Sequence, residues 1–280
     1  MANLRQVVRK IVPQWVSEGA GVRLRRSIAT PTLDYLDPFL LFDHFGSDDP
    51  QDYLAGFPMH PHRGIETVTY MLAGKVSHQD SMGNQGTIQS GDVQWMTAGG
   101  GIMHEEMPGA VDGRMEGFQL WVNLPASHKM MPPRYQEITA DDIPLVERPD
   151  GMRIRVIAGE VDGVRGPVTE VLADPTYLDV TVPLGVTARF PIPAGQTAFA
   201  YLFEGAGQIG GQEVDEAPQL LVLGEGDMME AAGSYTALRF LLVMGYPLHE
   251  PIARYGPFVM NTQEEIRQAL QDLRNGTFVR

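Results

Sequence analysis

Four residues of this chain have the types and the spacing of a metal site. They form two pairs, His60 with His62 and His104 with Glu106, and the members of each pair are two positions apart. Because each helical residue turns the chain by roughly 100°, residues two apart on a helix point to nearly opposite sides. On a strand they share one face. The spacing therefore predicts two strands that each aim two donors inward, and neighbouring strands would let all four bind a single ion.

The donor types narrow the choice of metal. The chain has no cysteine, so a site must use nitrogen and oxygen donors, which excludes structural zinc held by thiolates. Three imidazoles and one carboxylate fill four positions, whereas Fe(II), Mn(II), Co(II) and Ni(II) prefer more, so about two positions would stay open for water, substrate or dioxygen. The donors do not separate iron from Mn, Co, Ni or Zn. Glu66 is either a fifth ligand or a partner of Arg63 or Lys75.

Residues outside the two pairs have predicted supporting or packing roles. A metal-bound imidazole is normally held through its second nitrogen, and Gln119 and Asn123, on one face of a predicted strand, are candidates for that role. Trp95, Met96 and Met103 either pack in the core or line the pocket. The remaining histidines are predicted to be structural or solvated: His44, His78, His128 and His249. His78 is also a minor candidate for a supporting role.

The segments that carry the two pairs look like short strands. The chain has 31 glycines and 21 prolines spread along its length, which suits many strands joined by tight turns. Strands are predicted at Glu66–Leu72 and Gly117–Pro125, with a hairpin between them whose turn lies near Gly83 and Asn84. The apolar segment Leu36–Gly46 is predicted to be an arm packed on the sheet.

One helix is predicted near the C-terminus. Thr262 and Glu265 have the spacing of a capping box, and Gly276 ends the pattern. The apolar residues between them repeat at helical spacing: Ile266, Ala269, Leu270 and Leu273.

The second half of the chain repeats the first without its ligands. His60–Gly74 aligns with Pro191–Gly205 without a gap, and Gly91-Asp92 aligns with Gly226-Asp227. The four donors then fall on residues that do not bind metals in this way: Pro191, Pro193, Arg239 and Leu241. The polar segment Glu137–Met152 separates the two halves. We therefore predict a metal-binding domain at 1–140 and a metal-free domain at 141–280 that ends in the helix.

Charge and hydropathy exclude several classes of protein. A formal net charge of −14 argues against direct nucleic-acid binding, which depends on neutralising phosphates with Lys and Arg. The chain has no run of about 18 apolar residues, so no membrane span is expected. The basic N-terminal stretch is interrupted by charges and by Pro13 and lacks the continuous apolar region of a signal peptide. Together with the absence of cysteine, this predicts a cytoplasmic protein.

Motifs along nearly the whole chain resemble those of the pirins, a family of the cupin superfamily. They follow the family's order: RRSI (25–28), LDPFLLFDHF (36–45), HPHRGIETVTYML (60–72), GDVQWMTAGGGIMHEEM (91–107), FQLWVNLP (118–125) and GPFVMNT (256–262). The resemblance implies an all-β fold of two tandem cupin (jelly-roll) β-barrel domains with a C-terminal α-helix. It also implies iron in the N-terminal domain, at the positions matching His60, His62, His104 and Glu106, and no metal in the C-terminal domain.

The resemblance implies two functional classes. The leading hypothesis is a quercetin 2,3-dioxygenase, in which a flavonol 3-hydroxyl coordinates Fe(II), Glu106 accepts its proton, and reaction with dioxygen opens the heterocycle and releases carbon monoxide. The alternative is a non-enzymatic, iron-dependent regulatory protein that binds a protein partner as a transcription or metabolic coregulator. A non-redox cupin metalloenzyme, such as an isomerase, is a third hypothesis.

Overall fold

The computed structural model describes residues 3–109 and 113–279. Within these ranges the chain forms short strands, one α-helix and three single-turn 3-10 helices, at Pro50–Asp52, Ala126–His128 and Ala140–Asp142. The strands and the helix are, in chain order, β1 (Val7–Ile11), β2 (Gln14–Glu18), β3 (Val22–Ile28), β4 (Phe39–Ser47), β5 (Phe57–His62), β6 (Ile65–Ala73), β7 (Lys75–Asp80), β8 (Gln85–Gln89), β9 (Val93–Thr97), β10 (Ile102–Gly109), β11 (Met115–Asn123), β12 (Arg134–Ile138), β13 (Leu145–Glu147), β14 (Arg153–Ala158), β15 (Glu160–Val161), β16 (Val164–Arg165), β17 (Thr176–Val182), β18 (Thr187–Pro191), β19 (Thr197–Glu204), β20 (Gly207–Ile209), β21 (Gln212–Val214), β22 (Gln219–Leu223), β23 (Met228–Ala232), β24 (Leu238–Gly245), β25 (Ala253–Tyr255), β26 (Phe258–Met260) and α1 (Gln263–Asn275). The predicted all-β class is confirmed.

The chain divides into two compact units that interleave in sequence. One, here called the N-unit, comprises Gln14–Ala140 and the residues from Leu248 onward. The other, the C-unit, comprises Asp141–Pro247 and the residues through Pro13. Each half of the chain thus sends one end into the unit built mainly by the other half.

Strand pairing explains where the two ends lie. β1 pairs antiparallel with β22, an inner strand of a C-unit sheet. At the other end of the chain, Phe258 bridges to Arg63 of the N-unit. The units therefore differ from the predicted domains, 1–140 and 141–280, at both termini, because these pairings join segments that are far apart in sequence.

Two antiparallel sheets form the N-unit. The larger has the strand order β12-β9-β6-β11-β4-β3-β2, and the smaller has the order β5-β10-β7-β8. Both sheets contribute apolar side chains to one core cluster: Val22, Leu24, Phe45, Tyr53, Met71, Val76, Ile88 and Met115. The pairings among the described residues leave both sheets open, so the predicted barrel takes the form of two packed sheets.

Strand β4 lies inside the larger sheet. It pairs with β11 on one side and with β3 on the other. Every residue from Phe39 to Phe45 is buried, as is typical of a strand covered on both faces. The prediction of an arm at Leu36–Gly46 is therefore wrong, because an apolar run without alternation also fits a central strand.

The C-unit has the same arrangement, strand for strand. Its larger sheet has the order β1-β22-β19-β24-β17-β14-β13, and its smaller sheet has the order β18-β23-β20-β21. By position, β5 and β10 correspond to β18 and β23. The predicted repeat register is therefore wrong for the second donor pair, because Arg239 and Leu241 lie on β24, the counterpart of β11. The core of this unit is filled by apolar side chains, among them Phe190, Met229 and Phe240.

The helix forms where it was predicted. The Thr262 hydroxyl accepts a hydrogen bond from the Glu265 backbone N–H, and the Glu265 carboxylate accepts one from the Thr262 N–H in return. Gly276 ends the helix with a φ of 71°, a left-handed conformation that glycine adopts without strain. No helix in the described ranges is long and apolar enough to span a membrane.

Candidate metal centre

Strands β5 and β10 bring the two predicted pairs onto one face. They are antiparallel neighbours, and His104 lies directly opposite His60. The register shifts after this pair, so that Glu106 lies opposite Phe57. Between these two pairings β5 advances by three residues and β10 by two. This extra residue is a β-bulge, which changes the direction of the side chains beside it.

Three of the four predicted ligands converge. One ligand atom from each of His60, His62 and His104 lies within 4.8 Å of the others, the one such group of His, Asp and Glu residues in the described part of the chain. The Nε2 atoms of His60 and His62 are 3.0 Å apart. Two adjacent ligands of one ion, each at about 2.1 Å, would be about 3.0 Å apart at a right angle. The arrangement fits a single first-row metal ion.

Hydrogen bonding leaves the imidazoles ready to bind a cation. His60 Nδ1 lies 2.9 Å from the Pro58 carbonyl oxygen, so a proton on Nδ1 leaves the Nε2 lone pair free. Among the described residues, neither ring nitrogen of His104 has a hydrogen-bond partner, although the residue is buried. The Pro257 carbonyl lies beside the His62 ring, but it is not aligned to accept a hydrogen bond from His62 Nδ1. Buried polar atoms without partners cost about 1–3 kcal/mol each, a cost that a bound ion would offset.

Burial favours the neutral form of His62 and His104. It lowers the pKa of His62 well below the ordinary value, and the neighbouring His104 and His60 act in the same direction. It lowers the pKa of His104 as well, with His60 and His78 adding to the effect. A neutral imidazole is the form that binds a metal. His62 and His104 therefore meet the protonation requirement of metal ligands.

Glu106 lies on the same cavity as His60 and His62. It is buried, and its Oε1 atom lies 3.2 Å from the Thr69 hydroxyl, which also lies 2.9 Å from Gln119 Oε1. A hydroxyl has one hydrogen, so it can donate to Glu106 only when Gln119 presents its amide NH₂ instead. Burial raises the pKa of Glu106, whereas His60 and the Thr69 hydroxyl act in the opposite direction. Its role as the fourth ligand stays a prediction.

Glu66 points away from this cavity. Glu66 and Thr69 are three positions apart on β6, an odd separation that places their side chains on opposite faces of the strand. The Glu66 Oε1 accepts a hydrogen bond of 2.7 Å from Thr97 Oγ1. Arg63, a predicted partner of Glu66, instead binds Asp272. Trp95 and Met96 are buried, and neither lines the cavity. Met103 packs beside a separate apolar cluster.

The remaining histidines lie outside the group. His44 Nε2 is 3.3 Å from the Glu116 carboxylate, and His78 Nε2 is 2.7 Å from that of Glu137. His78 lies opposite Glu106 across the β7 and β10 pairing. The last two histidines are exposed: His128 and His249.

Of the two predicted supporting residues, Gln119 lines the cavity and Asn123 does not. Asn123 Oδ1 accepts a hydrogen bond of 2.7 Å from the buried Lys129 ammonium, which also donates to the backbone carbonyls of Gly64 and Val259 at 2.9 Å each. The Lys129 ammonium therefore connects three chain segments, and Asn123 is its partner in one of them. The position of Asn123 at the end of β11 explains why two residues on one strand face have different surroundings.

Lys129 makes stability depend on pH. Burial lowers its pKa to about 8, so between about pH 8 and the ordinary value of 10.5 the unfolded chain holds a proton that the folded protein has released. The free energy of unfolding therefore rises with pH in this window, by up to about 1.4 kcal/mol per pH unit. Denaturant unfolding of wild type and Lys129→Met at pH 7, 8 and 9 is expected to show a difference that grows in favour of wild type above pH 8. A constant difference would contradict the assignment.

A cavity of about 510 Å³ opens beside the histidines. Its walls are mainly apolar, with a few polar and charged groups; the lining includes Leu24, Leu41, Phe45, Phe57, Val76, Met115, Trp121, Thr69, Gln119, Glu18, Arg26, Asp43 and Arg254. The Trp121 indole meets the His62 ring edge to face, with ring centres 5.1 Å apart and an interplanar angle of 88°. This volume and lining are typical of a small-molecule site.

Three charged residues of the cavity, Arg26, Asp43 and Arg254, were not identified from the sequence. Arg26 and Asp43 lie in two of the quoted motifs, RRSI and LDPFLLFDHF, but their spacing carries no ligand pattern. They form a bidentate ion pair, in which Arg26 Nε and Nη2 donate to the two Asp43 carboxylate oxygens at 2.8 and 2.7 Å. Burial raises the pKa of Asp43 to about 6, against the opposing effect of Arg26. Arg254 comes from β25, near the other end of the chain.

Comparisons with known proteins agree with the fold and with the motifs. The family model described as Pirin matches residues 21–122, and that described as Pirin C-terminal cupin domain matches residues 177–279. The chain is 48% identical over 276 residues to a pirin-like protein of Solanum lycopersicum, covering 97% of this chain and 92% of that protein. It is 44% identical over 281 residues to Pirin of Homo sapiens, covering 98% and 94%.

A solved structure extends this likeness to the coordinates. The crystal structure of a quercetin 2,3-dioxygenase from Acinetobacter baumannii is 36% identical to this chain and superposes with a TM-score of 0.90, covering 98% of both chains. The resemblance drawn from the motifs is thereby confirmed, as are the two predicted cupin domains.

Proposed function

This chain belongs to the pirin family, and we propose that it is a mononuclear metal-dependent dioxygenase of the quercetin 2,3-dioxygenase type. The observation that carries the proposal is the convergence of the imidazoles of His60, His62 and His104 beside a largely apolar cavity that His60 and His62 line. A purely structural metal site has no need of such a cavity, whereas a catalytic site keeps positions open for substrate. The name of the solved A. baumannii relative supports this reaction.

The donor set fits Fe(II), held by His60, His62, His104 and Glu106, and Mn, Co, Ni or Zn would suit the same nitrogen and oxygen atoms. When bound, the ion supplies Lewis acidity toward a flavonol oxygen and the redox chemistry that dioxygen requires. Everything else in the reaction falls to the side chains of the cavity.

The residues of the chain have separable roles. Glu106 accepts the proton of the flavonol 3-hydroxyl, since burial already makes its protonated form more accessible than that of an ordinary carboxylate. The Thr69 hydroxyl, 3.2 Å from Glu106 Oε1, orients the carboxylate toward the substrate. The apolar walls, including the Trp121 indole against the His62 ring, exclude water while the heterocycle opens and carbon monoxide leaves.

The test is an aerobic assay with quercetin. Protein that carries one equivalent of metal is expected to bleach the flavonol absorbance, with equal amounts of dioxygen consumed and carbon monoxide released. Glu106→Gln, which cannot accept the proton, is expected to lower the rate by about 10²-fold or more. Its matched control is Glu105→Gln, because Glu105 lies on the other face of β10 and binds Gln79.

Two further conditions sharpen the assay. Zinc-loaded protein is expected to leave quercetin intact, since zinc has no redox chemistry, and so is the active protein without dioxygen. An intact, metal-loaded protein that leaves quercetin unchanged in air would overturn the proposal and favour the regulatory alternative. Equal rates for Glu106→Gln and Glu105→Gln, at equal metal content, would remove Glu106 from the mechanism.

A further inference from the structure

Arg254 is a cation of the cavity wall without a carboxylate partner among the described residues. Its Nη1 donates to the Leu40 carbonyl at 3.2 Å, and its Nε reaches the Gly256 carbonyl only at 3.5 Å. No carboxylate oxygen lies within 4.0 Å of its guanidinium in residues 3–109 and 113–279. A guanidinium has five N–H donors. Most of those on Arg254 are therefore available to a molecule in the cavity.

The second arginine of the cavity is different. Arg26 donates to both Asp43 oxygens, at 2.8 and 2.7 Å, and to Glu18 at 2.6 Å. Two carboxylates thus share one guanidinium, and an incoming anion would meet repulsion from both. Arg254 is the cation of this cavity that can accept an anionic group.

Trp121 connects Arg254 to the histidines. The Arg254 guanidinium carbon lies 5.1 Å from the centre of the Trp121 ring, and the His62 ring lies 5.1 Å from it. Because both separations share the indole, the guanidinium and the imidazole are at most about 10 Å apart. A planar ligand of two or three fused rings could lie along the indole and reach both.

The Arg254 guanidinium carries its charge in a partly buried position. Burial lowers the pKa of Arg254, and the positive charge of Arg26 adds to that effect, while the negative charges of Asp34, Asp43 and Glu18 oppose it. The charged guanidinium is thus undersolvated in the absence of a ligand. A carboxylate placed against it would stabilise the charge by paired, charge-assisted hydrogen bonds.

We propose that Arg254 and Trp121 form a subsite for the carboxylate of a planar aromatic ligand whose opposite end carries the hydroxyl that reaches the histidines. This inference rests on the proposed function, since it assigns the substrate class of the same cavity. It adds a second recognition element to the hydroxyl that reaches the histidines, so that an acidic phenolic ligand binds more tightly than a neutral one of the same shape.

The test compares two ligands of one shape. The probes are 6-hydroxy-2-naphthoate and 6-hydroxy-2-naphthamide, titrated into metal-loaded protein by calorimetry without dioxygen at pH 7.5. The wild type is expected to bind the carboxylate at least about tenfold more tightly than the amide. Arg254→Gln is expected to reduce that preference to less than about twofold, and Arg254→Lys to retain part of it, because the charge remains and the paired geometry is lost. Arg267→Gln, on exposed helix α1, is the matched control and keeps the preference.

The outcomes separate this inference from the dioxygenase proposal. Equal affinity of wild type for the two probes overturns the subsite, whatever the variants do, and so does a preference that survives in folded Arg254→Gln. A protein that bleaches quercetin but shows no preference refutes the subsite alone. A protein that prefers the carboxylate through Arg254 but leaves quercetin unchanged supports the subsite and refutes the dioxygenase.

Discussion

His104→Ala is expected to abolish metal binding, reducing the metal content of the purified protein from about one equivalent to below about a tenth. His104 is 1% exposed, and its ring nitrogens have no hydrogen-bond partner in the part of the chain that the structure describes, so the metal is the interaction that it is placed to make. Changes to residues that only support ligands weaken metal affinity by about 10–100-fold, and removal of a ligand should exceed that. Elemental analysis of both proteins, with Fe, Mn, Co, Ni and Zn measured, checks the prediction and identifies the metal.

The same variant should uncouple stability from metal. Binding stabilises the folded state by about 2.7 kcal/mol when the free metal is a hundredfold above its Kd, so a chelator should lower the unfolding midpoint of the wild type and leave that of His104→Ala unchanged. The matched control is His44→Ala, since His44 is also buried but pairs with Glu116. A His104→Ala protein that keeps its metal, or a His44→Ala protein that loses it, would contradict the assigned centre.

The histidine group was predictable because its geometry follows from a local rule. Residues two apart on a strand share a face whatever the rest of the fold does, and β5 and β10 are such strands. The helix was predictable for the same reason, since Thr262, Glu265 and Gly276 act within their own turns. Gln119 followed from strand alternation as well.

Features that depend on distant contacts were not predictable. Arg254 and Pro257 reach the cavity from the segment after Leu248, and no spacing within the sequence connects them to His62. Asn123 shares a strand face with Gln119, but its side chain binds the buried Lys129 ammonium and does not line the cavity. The repeat was found, but its second donor pair was aligned with β24 instead of β23. Short apolar strands separated by glycines look alike in sequence, and only their pairing partners distinguish them.

Separating Arg63 from Asp272 is expected to cause the largest loss of stability. The two side chains are 1% and 5% exposed, and Arg63 Nη1 donates to Asp272 Oδ2 at 2.8 Å. Arg63 also donates to the Phe278 carbonyl at 3.1 Å and lies 4.4 Å from the centre of the Phe278 ring. Arg63→Met or Asp272→Asn leaves a buried charge without its partner, which costs about 3–5 kcal/mol. Denaturant unfolding of each variant measures the loss.

The double variant distinguishes a charge effect from a packing effect. If the cost comes from the charge left behind, Arg63→Met combined with Asp272→Leu should recover much of the lost free energy of unfolding, because apolar replacement of a whole buried pair is often neutral. Arg267→Met is the control, since the exposed pair of Arg267 and Glu264 should contribute less than about 1 kcal/mol. Additive losses in the double variant would instead assign the stabilisation to the Phe278 contacts, so that the arginine next to His62 would hold the C-terminal segment chiefly by packing.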